Sequence, residues 1–269
     1  MPYRNFVAPG FAKRAHTTPE WIDWLVELEG VLIPVAPRHP HACQLCLGSS
    51  GYLDGGPATW SRCSHCSGYG SAVDSVISIT YSLDAGLESM LHRYKDFEGY
   101  DWLGWALSSL LHEFLEVHSG CVEAEAGGAV DVATIVPSND QRAFNHLERL
   151  VFGVVERDPL ARLWQWDTAF LTRDPAKPRP ARGHLTPDAY SVAPFVVEGS
   201  RVLLLDDTWT SGSSAASAAA ALKRAGAARV VVLTLGRQLN LTTAYGSTRE
   251  VFDDQSAEEW RLDTCVVCG

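Results

Sequence analysis

Asp206 and Asp207 stand side by side behind four apolar residues, Val202-Leu203-Leu204-Leu205, and are followed by Thr208-Trp209-Thr210-Ser211-Gly212-Ser213-Ser214. Ionised carboxylates accept hydrogen bonds and repel phosphate, so this pair suits the vicinal hydroxyls of a sugar. Thr210, Ser211, Ser213 and Ser214 offer hydroxyl donors without a competing charge. Gly212 lets consecutive backbone amides turn inward. From Ser213 to Arg224 the chain reads as an alanine-rich helix, whose leading N–H groups and positive dipole end favour an anion. Acceptors for a diol and a cradle for a phosphate, a few residues apart, describe a ribose 5-phosphate. Trp209 would cover that site or pack beneath it.

The second set of chemical residues is cysteine. Six of the seven fall into three Cys-x-x-Cys pairs, Cys43/Cys46, Cys63/Cys66 and Cys265/Cys268. With no secretion signal in view, paired spacing predicts reduced thiols and metal rather than a disulfide framework. Cys43, Cys46, Cys63 and Cys66 form two glycine-followed knuckles, the raw material of a tetrahedral structural Zn²⁺ site. Four thiolates close such a site, so it is assigned no catalysis, and His39, His41 and His65 are bystanders. Cys265/Cys268 leaves several readings open: a replacement knuckle, a metal shared with another subunit, a redox pair or plain thiols. Cys121, alone, reads as packing.

These residues need a frame. Ser75–Tyr81, Val130–Val136, Arg201–Leu205 and Arg229–Leu235 read as strands, and 84–95, 101–117, 140–156 and 213–224 as helices. A strand, a helix and a second apolar strand make a right-handed parallel βαβ unit. The fold class expected is therefore α/β, a parallel sheet flanked by helices. Thr17-Thr18-Pro19-Glu20 starts an N-terminal helix. Residues 172–191, rich in Pro and Arg, read as a long functional loop. The expected organisation is 1–72, N-terminal helix and zinc-knuckle module; 73–240, the α/β domain; 241–269, an extension ending in Cys-x-x-Cys.

Composition sets the partners. The 269 residues carry a formal charge of −10, which disfavours nucleic acid and anionic membrane. No apolar run is long enough to span a membrane and no signal peptide is read, so the expected location is cytoplasmic. Homo-oligomerisation stays open.

The segment 202–214 resembles the 5-phosphoribosyl-1-pyrophosphate (PRPP) motif of type I phosphoribosyltransferases: apolar strand, Asp-Asp, two residues, then Thr-Thr/Ser-Gly-x-Ser/Thr. More of the chain, roughly 40–240, is similar to the ComF-like branch of that family. The Cys43–Cys66 module matches its N-terminal zinc knuckles and also resembles those of DnaJ-type modules. Leu91-His92-Arg93-Tyr94-Lys95 is similar to its apolar–Lys-Tyr segment. Val136-Pro137 and Arg142-Ala143-Phe144-Asn145-His146 are similar to its Pro and Arg-Gly-Phe-Asn-Gln elements. Gly226-Ala227-Ala228-Arg229-Val230 and Arg237-Gln238-Leu239-Asn240 are similar to the Gly-Ala-x-x-Val strand and the Arg-x-x-Asn-like end that succeed the motif in that branch.

The resemblance implies a type I phosphoribosyltransferase-like fold and a pentosyltransferase activity. Ribose 5-phosphate would pass from PRPP to a nitrogenous acceptor, with Mg²⁺ on the departing pyrophosphate. It implies PRPP contacts from Asp206, Asp207, Thr208, Thr210, Ser211, Gly212, Ser213 and Ser214, with Asp206 and Asp207 catalytic. Arg142, Lys95, Arg173 and Arg182 are the candidates for pyrophosphate. The short, cation-free stretch Ser138-Asn139-Asp140-Gln141 speaks for an alternative: a non-catalytic PRPP-binding regulator or DNA-uptake (competence) accessory protein. A zinc-dependent interaction protein with a scaffold sheet is a third reading. The acceptor is not legible.

Overall fold

A computed structural model of the protein describes residues 17–35, 42–48, 61–138, 145–153, 163–241 and 249–269. Helix α1 (Thr18–Val26) starts as its sequence predicts. The Thr17 hydroxyl accepts from the Glu20 N–H while the Glu20 carboxylate accepts from the Thr17 N–H, a complete capping box. Strand β1 (Ser75–Ser82), helices α2 (Leu87–Asp96) and α3 (Leu103–Ala126) and strand β2 (Val132–Ile135) follow. A short antiparallel pair, β3 (Leu171–Arg173) and β4 (Tyr190–Val192), precedes β5 (Arg201–Trp209), helix α4 (Ser213–Arg224), β6 (Arg229–Gln238) and helix α5 (Arg249–Gln255).

Strands β1, β6, β5 and β2 form, in that order, a four-stranded parallel sheet flanked by helices. The chain is thus α/β, as its alternation of strands and helices requires. Side chains alternate across each strand. In β5, Leu203 and Leu205 enter one core with α1, α2 and α3, while Val202 and Leu204 enter a second with α4 and the Cys43–Cys66 region. A sheet covered on both faces explains why its central strands read as unbroken apolar runs. Burying each such aliphatic side chain contributes roughly 1.5–3 kcal/mol.

Four elements differ from the sequence reading. Strand β5 runs on to Trp209, so Asp206 and Asp207 lie inside the strand rather than beyond it; Asp206 pairs in register with Thr234 of β6. The neighbouring strand β6 is ten residues long and keeps the ladder going past the apolar run. Within 140–156, the described part is one helical turn, His146–Glu148, opening into a π-turn, Arg149–Gly153; the remainder lies outside the described residues. The 172–191 segment has strand ends, β3 and β4, and its tip is docked. Gly183 and Thr186 donate backbone N–H groups to Ser213 Oγ and Ser217 Oγ of α4. Residues 241–269, read as polar and irregular, contain α5 and the buried Trp260, whose indole N–H donates to the Ile79 carbonyl at 3.2 Å. Among the described residues no helix is long and apolar enough to cross a membrane.

Candidate functional site

Beyond the carboxyl ends of β5 and β2, where open parallel sheets bind ligands, lies a cavity of about 320 Å³. Asp206, Asp207, Thr208, Thr210, Ser211, Gly212, Ser213, Ser214 and Lys95 all line it, so nine residues singled out in the sequence meet in one place. Arg173 also lines it, with Ser138, His146, Arg179 and Tyr190. Arg182 is not among the lining residues; Arg179 of the same loop is. Arg142 lies outside the described residues.

The loop is built by Gly212 and Trp209. Gly212 adopts φ 79°, the left-handed conformation that glycine tolerates; it has no side chain to cap the helix, and the Ser213 N–H donates instead to Ser211 Oγ at 3.4 Å. A Cβ there would fall 2.1 Å from two ring atoms of Trp209. Trp209 is buried and lies edge-on to Tyr69, so it is the floor of the loop rather than a cover for the site. Ser213 is less available than its position in the sequence suggests. Its hydroxyl receives the Gly183 N–H and lies 3.0 Å from the Tyr69 hydroxyl. Thr208 likewise donates its hydroxyl to Glu88, at 3.1 Å. Thr210 and Ser214 are exposed at the cavity.

The two carboxylates differ. Asp207 is paired with Lys95 of α2 and accepts from His146 Nε2 at 2.9 Å. Burial pushes its carboxyl up, but Lys95 and His146 outweigh burial and hold it below the usual carboxylate range. Among the described residues Asp206 forms no ion pair, and Lys95 acts on it only as a lesser, opposing charge. Burial, with the neighbouring Asp207 charge, raises it well above that range, although the Asp207 N–H donates to its Oδ1 at 3.0 Å. Glu88, behind Thr208, is also raised by burial. One member of the pair is therefore held ionised and the other favours its proton.

Across the cavity, Arg173 Nη2 donates to the carbonyls of Lys177 and Pro178, while its Nη1 is buried without a partner among the described residues. The guanidinium carbon lies 5.9 Å from the centroid of the Tyr190 ring, which also lines the cavity. The arrangement offers two carboxyl groups on one side, one of them held as an anion, and hydroxyls, a helix start and guanidinium groups on the other.

The Cys43, Cys46, Cys63 and Cys66 sulfurs are brought together, all within 4.8 Å, and could hold a structural metal ion. Hydrogen bonds from Cys43, Cys63 and Cys66, with the Arg237 charge, hold the Cys46 thiol well below the usual thiol range. Arg237 is itself buried. It donates Nε–H to the Cys46 carbonyl and Nη1–H to the carbonyls of Trp209 and Thr210. The cysteine cluster and the 209–214 loop thus share one cation and, through Tyr69, one hydroxyl. Arg237 was visible in the sequence only as part of a resemblance; its burial between two sites was not.

A second group, His118, Cys121, Cys265 and Cys268, also lies within 4.8 Å and could hold a metal ion. Cys121, read as packing, thus lies among His118, Cys265 and Cys268. The signal was present as His118-x-x-Cys121, one turn of helix that sets two ligands on one face. Glu88, Tyr69, Arg179 and Tyr190 had no such signal. In comparisons with known proteins, no family model and no curated protein matches the chain.

Proposed function

We propose that the protein is a PRPP-dependent phosphoribosyltransferase, a pentosyltransferase that moves ribose 5-phosphate to a nitrogenous acceptor and releases pyrophosphate. The observation that carries this reading is convergence. Asp206 and Asp207, the start of α4 and Arg173 line one cavity of about 320 Å³. That volume is within the range of small-ligand pockets. In a type I phosphoribosyltransferase-like arrangement the 5-phosphate would lie against the 210–214 loop, and the ribose hydroxyls against the acids. The pyrophosphate would lie toward Arg173 and Arg179. Lys95 neutralises Asp207, which lowers the cost of keeping two acids beside an anionic ligand.

The cavity's donors are oxygens and nitrogens, with no thiol, a set that fits a hard cation. Mg²⁺ held by the ligand's own oxygens and by Asp206, which would give up its proton to do so, would supply neutralisation of the leaving pyrophosphate. The chain's residues do the rest. Arg173 and Arg179 stabilise charge on the departing group as the C1–oxygen bond breaks. The acids hold the ribose hydroxyls while positive charge develops at C1. The acceptor nitrogen forms the new bond to C1 and loses its proton to solvent. The four-cysteine cluster is proposed to hold Zn²⁺ as a structural ion. Its Cys46–Cys63 sulfur separation of 4.0 Å is close to the edge of about 3.8 Å that Zn–S bonds of about 2.3 Å give in a tetrahedron. Its thiolates would also supply the counter-charge for buried Arg237.

The test is PRPP binding by calorimetry beside pyrophosphate release with Mg²⁺ and a panel of bases and amines. Saturable binding with release is expected. Binding without turnover would move the site to the regulatory reading, and absence of binding would reject both.

A further inference from the structure

We infer that His118, Cys121, Cys265 and Cys268 bind a second Zn²⁺, which fastens the segment 260–269 to the long helix α3. The site is independent of the cavity and of the activity proposed for it.

Distances support a tetrahedral ion. Cys121 Sγ and Cys268 Sγ each lie 3.7 Å from His118 Nδ1, and Cys265 Sγ lies 3.5 Å from Cys268 Sγ. A Zn²⁺ with Zn–S bonds of about 2.3 Å and a Zn–N bond of about 2.0–2.1 Å sets sulfur–sulfur and sulfur–nitrogen edges of roughly 3.5–3.8 Å. Three sulfurs and one imidazole are a soft, redox-silent ligand set that closes a structural zinc site.

The surroundings are arranged for ligation. His118 is buried, and its Nε2 lies 2.7 Å from the Leu262 carbonyl, an acceptor that keeps the proton on that nitrogen. The Nδ1 lone pair is then free to face the sulfurs. This is the outer hydrogen bond that metal-bound histidines make. The backbone of the third Cys-x-x-Cys pair repeats that of the first two. Gly269 donates its N–H to the Cys265 carbonyl at 2.9 Å, as Leu47 does to Cys43 at 2.8 Å and Ser67 to Cys63 at 2.9 Å. Leu47 and Gly269, at equivalent places, both take a positive φ, 57° and 85°. Val267 N–H also approaches Cys265 Sγ at 3.4 Å. The ligands come from sequence positions about 150 residues apart (Cys268 and His118). Leu262, Cys265, Val266 and Val267 pack on the α3 core, so the ion would pin a segment that already lies in place.

The experiment is metal analysis of the full chain, purified without chelator, by inductively coupled plasma mass spectrometry. Two zinc ions per chain are expected, falling to one in Cys265→Ser/Cys268→Ser and in His118→Ala. PRPP binding is measured on the same samples. Cobalt substitution of the wild type should give thiolate-to-cobalt charge-transfer bands from two tetrahedral sites. Alkylation should modify Cys121, Cys265 and Cys268 only after chelator is added. These wild-type readouts stand even where a variant fails to fold. One zinc per chain in the wild type would overturn the proposal. So would an unchanged zinc content in the double variant, or alkylation of all three thiols in the zinc-loaded protein.

Discussion

The phenolic hydroxyl of Tyr69 donates a 2.6 Å hydrogen bond to the carbonyl oxygen of Ser211. Tyr69 lies three residues after the second cysteine knuckle, and Ser211 is in the loop that starts α4. The bond therefore ties the cysteine cluster to the candidate phosphate cradle. Tyr69→Phe removes it and leaves the ring in its contact with Trp209. The loss should be about 1 kcal/mol of stability by urea unfolding, the usual net worth of such a bond. Affinity for PRPP should fall several-fold, because the loop is less well held. Equal affinity in the two proteins would separate the knuckle from the cradle.

Metal removal should act at the same distance. Arg237 is buried between Cys46 and the carbonyls of Trp209 and Thr210, and the zinc-bound thiolates proposed above would be its counter-charge. Stripping the proposed ion with a thiol-competitive chelator would protonate sulfurs and leave that guanidinium uncompensated. Melting should shift downward and PRPP binding weaken together. Arg237→Met should reproduce the loss of binding without loss of the first zinc. Breaking a buried charge arrangement of this kind costs about 3–5 kcal/mol. A chelated protein that still binds PRPP with native affinity would refute the coupling.

Much of this was legible in the residues. The parallel sheet was written in Val202–Leu205 and Arg229–Leu235, whose apolar runs need cover on both faces. The loop and both acids were legible because local chemistry placed them. The four-cysteine cluster was legible because i, i+3 thiols declare themselves. The second cluster was not, since Cys121 gains its meaning only when residues 260–269 fold back on α3. Strand β5 was cut short because Asp206 and Asp207 are poor strand formers, and the tertiary ladder to β6 overrode that preference. The placing of Arg237 and Tyr69 was silent, as burial between two distant segments has no signature in spacing.

The unequal acids predict a pH profile. Asp207 is depressed by Lys95 and His146 despite burial, so its contribution is present above the ordinary Asp value of about 3.9 and lost as pH falls below it. Asp206 is raised by burial and by Asp207, with Lys95 opposing and Glu88 adding to the rise. Its folded form holds the proton more tightly than the unfolded chain does. Stability then declines as pH rises from about 4 toward its folded value and stays low above it. Glu88 adds a decline of the same sign. Asp206→Asn should therefore flatten the decline and leave the acid limb intact in urea unfolding from pH 3 to 8. The same variant should bind PRPP more weakly at neutral pH. A wild-type decline that Asp206→Asn leaves unaltered would remove Asp206 as its source.

Gly212 is the position where backbone and side-chain packing meet most tightly. Its φ of 79° disfavours any L side chain, and its missing Cβ would lie 2.1 Å from the Trp209 ring. That ring cannot retreat freely, since it is buried against Tyr69 with centroids 6.1 Å apart. Gly212→Ala therefore carries two costs, a strained backbone of about 1–3 kcal/mol and a steric clash on top of it. The two separate in a double-mutant cycle. Trp209→Leu is itself destabilising, because it empties part of the loop floor. In that background the clash is relieved and only the backbone cost of Gly212→Ala remains. The expected result is a smaller Gly212→Ala penalty beside Leu than beside Trp, by urea unfolding. PRPP affinity should fall in both single variants, because each moves the amides proposed to hold the anion. Strictly additive penalties would mean that the ring and the glycine do not oppose each other.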